Sequence, residues 1–171
     1  MRTLIALFLL VSFISGLAYA DETLCEKSEA VYFSCPVASS KRISVCGSPA
    51  ISESEGYLQY RFGRPGAVEL EYPKTKEKTQ QQFYWEENNN YQGGSRTLYF
   101  EIGSYSYGVF SFELGDVLSN KSEGEKKYGV WVSRLGVNAP AQEILCANTP
   151  IGVFSLGGVV TGPAPGEVVK K

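Results

Sequence analysis

The chain has 171 residues, one domain's worth, with 16 basic and 18 acidic side chains and a net charge of −2. A near-neutral, slightly acidic chain with scattered Lys and Arg argues against nucleic acid as the partner. It contains no histidine, which removes Ser-His-Asp, Cys-His and His-metal mechanisms together.

Residues 1–20 have the form of an export signal. Arg2 supplies the positive start, 4–14 is an apolar run, and Ala18, Tyr19 and Ala20 form a small-x-small cleavage site before Asp21. The run falls short of the roughly 20 residues of a spanning helix, so the protein is not expected to span a membrane. Glu22, Thr23 and Leu24 are not the small residues that precede a lipidated cysteine, which leaves Cys25 free to form a disulfide. Removing 20 of 171 residues leaves 151, with 15 basic side chains against 18 acidic ones and a net charge of −3. Residues 21–150 are expected to form a single β domain, and 151–171 an extra edge strand or a flexible tail.

The first hairpin is expected over 31–35 and 43–46, closing around 36–40, because apolar and polar residues alternate on both arms. Matching the apolar rows sets Val31 opposite Val45 and Phe33 opposite Ile43. Cys35 then points with Phe33 into the core and Cys46 points the other way. Four cysteines in an exported chain imply two disulfides, with three possible connectivities. A 35–46 bridge would need Cα atoms farther apart than about 7 Å. The connector from Cys25 enters at the open end of the hairpin, so Cys25–Cys46 is expected. Cys35–Cys146 then crosses the core. No CxxC spacing exists, and neither a metal nor any other cofactor is expected.

The second hairpin joins 57–62 to 68–72 through a Gly-Arg-Pro-Gly turn at 63–66. It is expected to pair Phe62 with Val68, Tyr60 with Leu70 and Arg61 with Glu69. A charged loop follows, then a strand over 81–86 and a polar, Gly-rich loop over 87–94. The third hairpin is the cleanest: 97–102 and 105–112 around Gly103 and Ser104, with Gly first as a two-residue type II′ turn requires. It sets Ile102 against Tyr105, Phe100 against Tyr107 and Leu98 against Val109. Closing strands are expected at 128–134 and 142–146.

No segment sustains a helical period, so the fold is expected to be all-β. Eight or nine short strands would form an antiparallel meander closed as a small barrel or sandwich, with two disulfides. An outer-membrane barrel is disfavoured, since Arg61, Glu69, Glu71 and Glu101 lie on the face that would meet lipid.

Glu69 and Glu71 share a strand face about 7 Å apart, a separation suited to an inverting glycosidase. On the same face Arg61 neutralises them, which makes a solvated strand face the simpler reading. Glu86 and Glu87 are adjacent and point apart. Tyr84, Trp85, Asn88, Asn89, Asn90, Tyr91 and Arg96 cluster about the 87–94 loop. Aromatic plates beside amides suit sugar rings, and Tyr, Trp and Arg suit a protein partner. Ser104 and Tyr105, at the tip of the third hairpin, are a second candidate contact.

In outline, Phe33, Ser34 and Cys35 on the first strand and Cys146 near the last one resemble the periplasmic inhibitors of C-type lysozyme (the MliC/PliC group). The resemblance covers 30–147 and implies a small exported antiparallel barrel whose first-strand cysteine bonds to one near the C-terminus. That family's inhibitory loop carries Ser-Gly-x-x-Tyr, a pattern found here only at 15–19, inside the export signal. The run at 57–62 also resembles one in secreted bacterial proteins. The expected function is an exported, non-enzymatic binding module in the periplasm or the medium, directed at a cell-wall hydrolase, a toxin or a glycan. A structural envelope-associated protein and a carboxylate-based glycan hydrolase are the alternatives.

Overall fold

A computed structural model describes residues 23–90, 93–115, 124–137, 141–152 and 154–164. The expected export signal, Tyr91 and the end of the C-terminal segment lie outside the described residues. Among the described residues, nine strands form two antiparallel sheets. The first holds β1 (Ala30–Pro36), β2 (Arg42–Gly47), β3 (Leu58–Arg64) and β4 (Ala67–Tyr72). The second holds β5 (Tyr84–Asn90), β6 (Gly93–Ile102), β7 (Tyr105–Leu114), β8 (Lys126–Arg134) and β9 (Gln142–Leu145). In both sheets the order follows the sequence, as local hairpins dictate. No helix among the described residues is long and apolar enough to cross a membrane.

One core joins the sheets. Phe33, Ile43, Val45, Leu58 and Tyr60 from the first meet Leu98, Phe100, Val109 and Val130 from the second, with Phe83 and Leu156 filling in from connecting segments. Phe100 is its aromatic hub, with ring centroids 4.9 Å from Tyr60, 5.2 Å from Tyr72, 5.6 Å from Phe83 and 5.0 Å from Tyr107. Tilted and offset rings of this kind add to what their burial alone contributes.

The third hairpin has the expected register, with Ile102 opposite Tyr105, Phe100 opposite Tyr107 and Leu98 opposite Val109. The first two hairpins differ from expectation by two residues. Phe33 pairs with Val45 and Cys35 with Ile43, because the chain turns over 37–41 rather than 36–40. The Val37 N–H donates to the Lys41 carbonyl at 2.9 Å, and Ser39 and Ser40 turn the chain with φ of 66° and 57°. In the second hairpin Arg61 pairs with Glu71 rather than Glu69, and Phe62 with Leu70. A bulge after Phe62 takes up the difference, leaving a turn at Pro65 and Gly66. Away from the bulges after Val31 and Phe62, a slip of two residues keeps each side chain on its face. Cys35 therefore still points into the core and Cys46 away from it.

Cys25 is bonded to Cys46 and Cys35 to Cys146, with Cα atoms 5.3 and 5.6 Å apart. Two disulfides fit an oxidising, extracellular location.

The far face of the first sheet corrects another expectation. Arg61 does not sit on a solvated surface; it is 2 % exposed, because residues 23–29 fold back over that face. Cys25 pins this segment to Cys46, and the Leu24 N–H donates to Ser44 Oγ at 3.0 Å. All five guanidinium donors are used. Nη1 and Nη2 grip Glu29 at 2.6 and 2.9 Å, Nε reaches Glu71 at 3.0 Å, and the rest go to the Leu24 carbonyl and Gln59 Oε1.

Burial by itself would raise the Glu29 pKa. Hydrogen bonds from Arg61, Tyr57, the Glu26 N–H and Lys76 outweigh it and hold the group at about 2 against an ordinary 4.5. A carboxyl with a lower pKa folded than unfolded adds stability that is complete above the unfolded value and lost as pH falls toward the folded one. Stability should therefore drop by on the order of 3 kcal/mol between about pH 4.5 and pH 2. Urea midpoints across a pH series check this, and Glu29→Gln should flatten that acid limb.

After β9 the chain makes a single bridge, Ser34 with Ile151, along the outer edge of β1. The Ala147 N–H donates to the Pro36 carbonyl at 2.8 Å, and the Gly162 N–H to the Phe83 carbonyl at 2.7 Å. Between them Phe154 packs on Phe33 and Trp85, with centroids 5.0 Å from each, and Leu156 is fully buried. Residues 147–162 thus cover the free edge of β1, which would otherwise invite pairing with another chain, and run on to the start of β5.

Candidate functional site

The stretch expected as a loop over 87–94 is mostly strand. β5 continues to Asn90, and Asn88, Asn89 and Asn90 pair with Ser95, Gly94 and Gly93. Asparagine is a poor strand former, but the ladder offered by the ten-residue β6 holds the run extended. Alternation then divides the candidate residues between two faces. Trp85 and Asn89 lie on the core side with Arg96. Tyr84, Asn88 and Asn90 lie on the opposite side.

On the core side, β6 and β7 run past the apolar core toward Gly93 and Leu114, and the sheet's inner face turns polar. A groove of about 360 Å³ lies there, lined by Asn89, Arg96, Ser111, Glu113 and Lys126 among others. A smaller hollow of about 160 Å³ shares Arg96, Ser111 and Glu113 and reaches Tyr128, Phe33 and Phe154. Gly94 keeps the groove open at one wall: a Cβ there would sit 2.5 Å from Asn89 Oδ1.

Two carboxylates beside the groove are held by hydrogen bonds. Arg96 Nε and Asn89 Nδ2 both donate to Glu87 Oε1 at 2.9 Å. Those two hydrogen bonds hold the Glu87 carboxyl below its ordinary pKa. Tyr128 donates to Glu113 Oε1 at 2.9 Å, and burial followed by that bond pushes the Tyr128 hydroxyl up to about 12. Both groups therefore stay in one protonation state near neutrality: Glu87 ionised, Tyr128 a donor.

Of the residues singled out in the sequence, the groove brings together Asn89 and Arg96. Trp85 lies deeper on the same face, half-buried against Phe154. Tyr84 stacks beside Tyr99 on the other face, with centroids 5.8 Å apart. Ser104 and the exposed Tyr105 stand at the far end of β6 and β7, roughly 30 Å from Gly93 by the strand rise. They belong to no common surface with the groove. Tyr91 lies outside the described residues.

Glu87, Ser111, Glu113, Tyr128 and Lys126 were not among the candidates. Reading the asparagine run as strand would have placed Glu87 opposite Arg96. The others come from two distant strands, and only the register reveals them. Glu69 and Glu71 do not act as a free pair: Glu69 is bound by Lys41 at 2.7 Å and Glu71 by Arg61 at 3.0 Å. One cluster of metal-type donors occurs among the described residues, Cys25, Glu29 and Cys46. Its sulfurs form a disulfide and its carboxylate holds Arg61, so the cluster offers neither a thiolate nor a free carboxylate to an ion.

Fold and groove together define an all-β, disulfide-locked scaffold presenting a charge-balanced polar recess. Comparison of the chain with protein-family models, curated proteins and solved structures finds no match.

Proposed function

We propose that the protein is an exported, non-enzymatic binding module that takes a partner protein into the groove at the Gly93–Leu114 end of the second sheet. A cell-wall hydrolase or a toxin is the partner class in view. In this reading the scaffold is a sandwich rather than a barrel, since no ladder joins the two sheets among the described residues. The signal-like start and the two bridges support the periplasm or the medium as its place of work.

The observation that carries the reading is that the carboxylates Glu87 and Glu113 beside the groove are each held by neighbouring donors. Glu87 is locked by Asn89 and Arg96, and Glu113 by Tyr128. A carboxyl held below its ordinary range is a poor general acid, whereas fixed Arg and Tyr groups beside a recess are what protein hot spots use.

Arg96→Ala should weaken partner binding by about 1–2 kcal/mol. It should leave the unfolding midpoint nearly unchanged, since Arg96 makes its ion pair at the surface with 40 % of its side chain exposed. Lysozymes of several classes and periplasmic hydrolases are the proteins to titrate first. Turnover of a glycan or peptide that is abolished by Glu87→Gln would overturn the binding reading in favour of a carboxylate enzyme.

A further inference from the structure

The face of the second sheet turned away from the core carries a feature independent of the groove. Tyr84, Tyr99, Gly108 and Trp131 are successive cross-strand partners on β5, β6, β7 and β8, so they form one row across the sheet. Ring centroids are 5.8 Å apart between Tyr84 and Tyr99 and 5.4 Å apart between Tyr99 and Trp131.

Gly108 explains how Trp131 lies. A Cβ at that position would sit 2.3–2.4 Å from three atoms of the indole. The ring therefore rests directly on the backbone of β7, its other side turned outward, and any other residue at 108 would lift it. Tyr99 stands at its edge, inclined by 64°. The result is a plate with a side wall.

Hydrogen-bonding groups border the row. Tyr99 donates to Glu86 Oε2 at 2.8 Å and Asn88 Nδ2 to Glu86 Oε1 at 3.1 Å. On the β9 side Lys127 and Glu143 pair at 2.6 Å. At the β5 end the row leads into a cleft of about 180 Å³, lined by Tyr84, Tyr99 and Tyr72 together with Gln81, Gln82 and Glu101. β5 begins opposite Tyr99, which leaves this cleft beside the last residues of β6.

We infer that the Tyr84–Tyr99–Trp131 row and its adjoining cleft form a binding site for an uncharged polysaccharide chain. The ligand chemistry follows from the surface. An indole plate and phenol walls offer apolar area to the C–H faces of pyranose rings. The amides of Gln81, Gln82 and Asn88 and the carboxylate of Glu86 meet hydroxyls at the ring edges, the usual division of labour in a binding site. Lys127 and Glu143 are already matched to each other, and the Glu86 carboxylate is held by the neutral donors Tyr99 and Asn88, so the row offers an anionic ligand no free cation and a repelling carboxylate. A row crossing four strands into a cleft suits an extended chain better than a single sugar. The site goes beyond the groove-binding function and does not depend on it, since the two lie on opposite faces of the sheet.

The test is titration of the mature protein with soluble oligosaccharides from chitin, cellulose, xylan and mannan, followed by calorimetry and tryptophan fluorescence. At least one series should bind with affinity rising with chain length and should shift Trp131 emission. Trp131→Ala and Tyr99→Ala should each weaken that binding by about tenfold or more, the range of a hot-spot truncation, while Arg96→Ala leaves it intact. Should Trp131→Ala fail to fold, Trp131→Tyr, which keeps a smaller plate, should give a partial loss alongside Tyr99→Ala. The inference is overturned by no binding to any of the four series, by binding that survives both ring removals, or by binding lost in Arg96→Ala but not in Trp131→Ala. Sedimentation showing a dimer that dissociates in Trp131→Ala would assign the face to a second copy of the chain instead. Loss of partner-protein binding in Arg96→Ala with saccharide binding retained would leave both sites standing.

Discussion

Replacing Arg61 with methionine should lower the unfolding free energy by about 3–5 kcal/mol, the cost of stranding one member of a buried ion pair. The size follows from what is left behind. Glu29, with its side chain 1 % exposed, would lose both bonds of a bidentate grip, and the Leu24 carbonyl and Gln59 Oε1 would each lose a donor. Unmade hydrogen bonds of buried groups cost more than made ones contribute. Urea unfolding of the single variant measures the loss. The double variant Arg61→Met, Glu29→Met separates the stranded charge from the rest: it should recover the part of the loss due to the unpaired Glu29 carboxylate, while the Leu24 carbonyl and Gln59 Oε1 still lack their donor. A single-variant loss below about 1 kcal/mol, the scale of a surface pair, would mean that residues 23–29 do not stay over this face in solution.

Removing the Cys35–Cys146 bridge should cost about 4–5 kcal/mol in the chain-entropy model, because it spans a separation of 111 residues. The Cys25–Cys46 bridge, with a separation of 21, should cost nearer 3 kcal/mol on the same basis. Paired alanine substitutions, Cys35→Ala with Cys146→Ala and Cys25→Ala with Cys46→Ala, give the two values from denaturant curves. Peptide mapping without reductant fixes the pairing beforehand. The ranking is the sharper expectation, since loop length enters both figures in the same way. A larger loss from the shorter bridge would show that pinning residues 23–29 over Arg61 matters more than closing the long loop.

Alternation made the strands legible, and one detail decided how well their register could be read. The β6–β7 hairpin turns in two residues with Gly103 at φ +61°, which leaves a single way to pair its arms. The β1–β2 turn has five residues and the β3–β4 ladder a bulge, and neither offset is written in a hydrophobic pattern of period two. Both pairings came out two residues off, an error that leaves the faces intact. The cysteine pairing could therefore be reasoned from faces alone. The asparagine run misled for a different reason. Its composition speaks for a loop, but β6 supplies a register partner for each of its three residues, and tertiary pairing overrides local preference.

The covering of Arg61 was hidden because a strand with one polar face reads the same whether water or another segment lies over it. The candidate site was legible only in part. Asn89 and Arg96 were found from composition, but Glu113, Lys126 and Tyr128 come from β7 and β8 and reach the groove through register alone. Gly108 and Trp131, 23 positions apart in the chain, meet for the same reason.

Together the two bridges give the chain the connectivity of a closed loop. A protease cutting once anywhere between Cys25 and Cys146 leaves two pieces still joined through sulfur. The largely exposed connectors at 48–56 and 74–78 fall inside that interval. A single nick in either frees no fragment, and two cuts are needed before any part of that interval can diffuse away. In the oxidising, extracellular setting that two disulfides fit, loss of any part of that interval to a protease then scales with the chance of a second cleavage rather than the first.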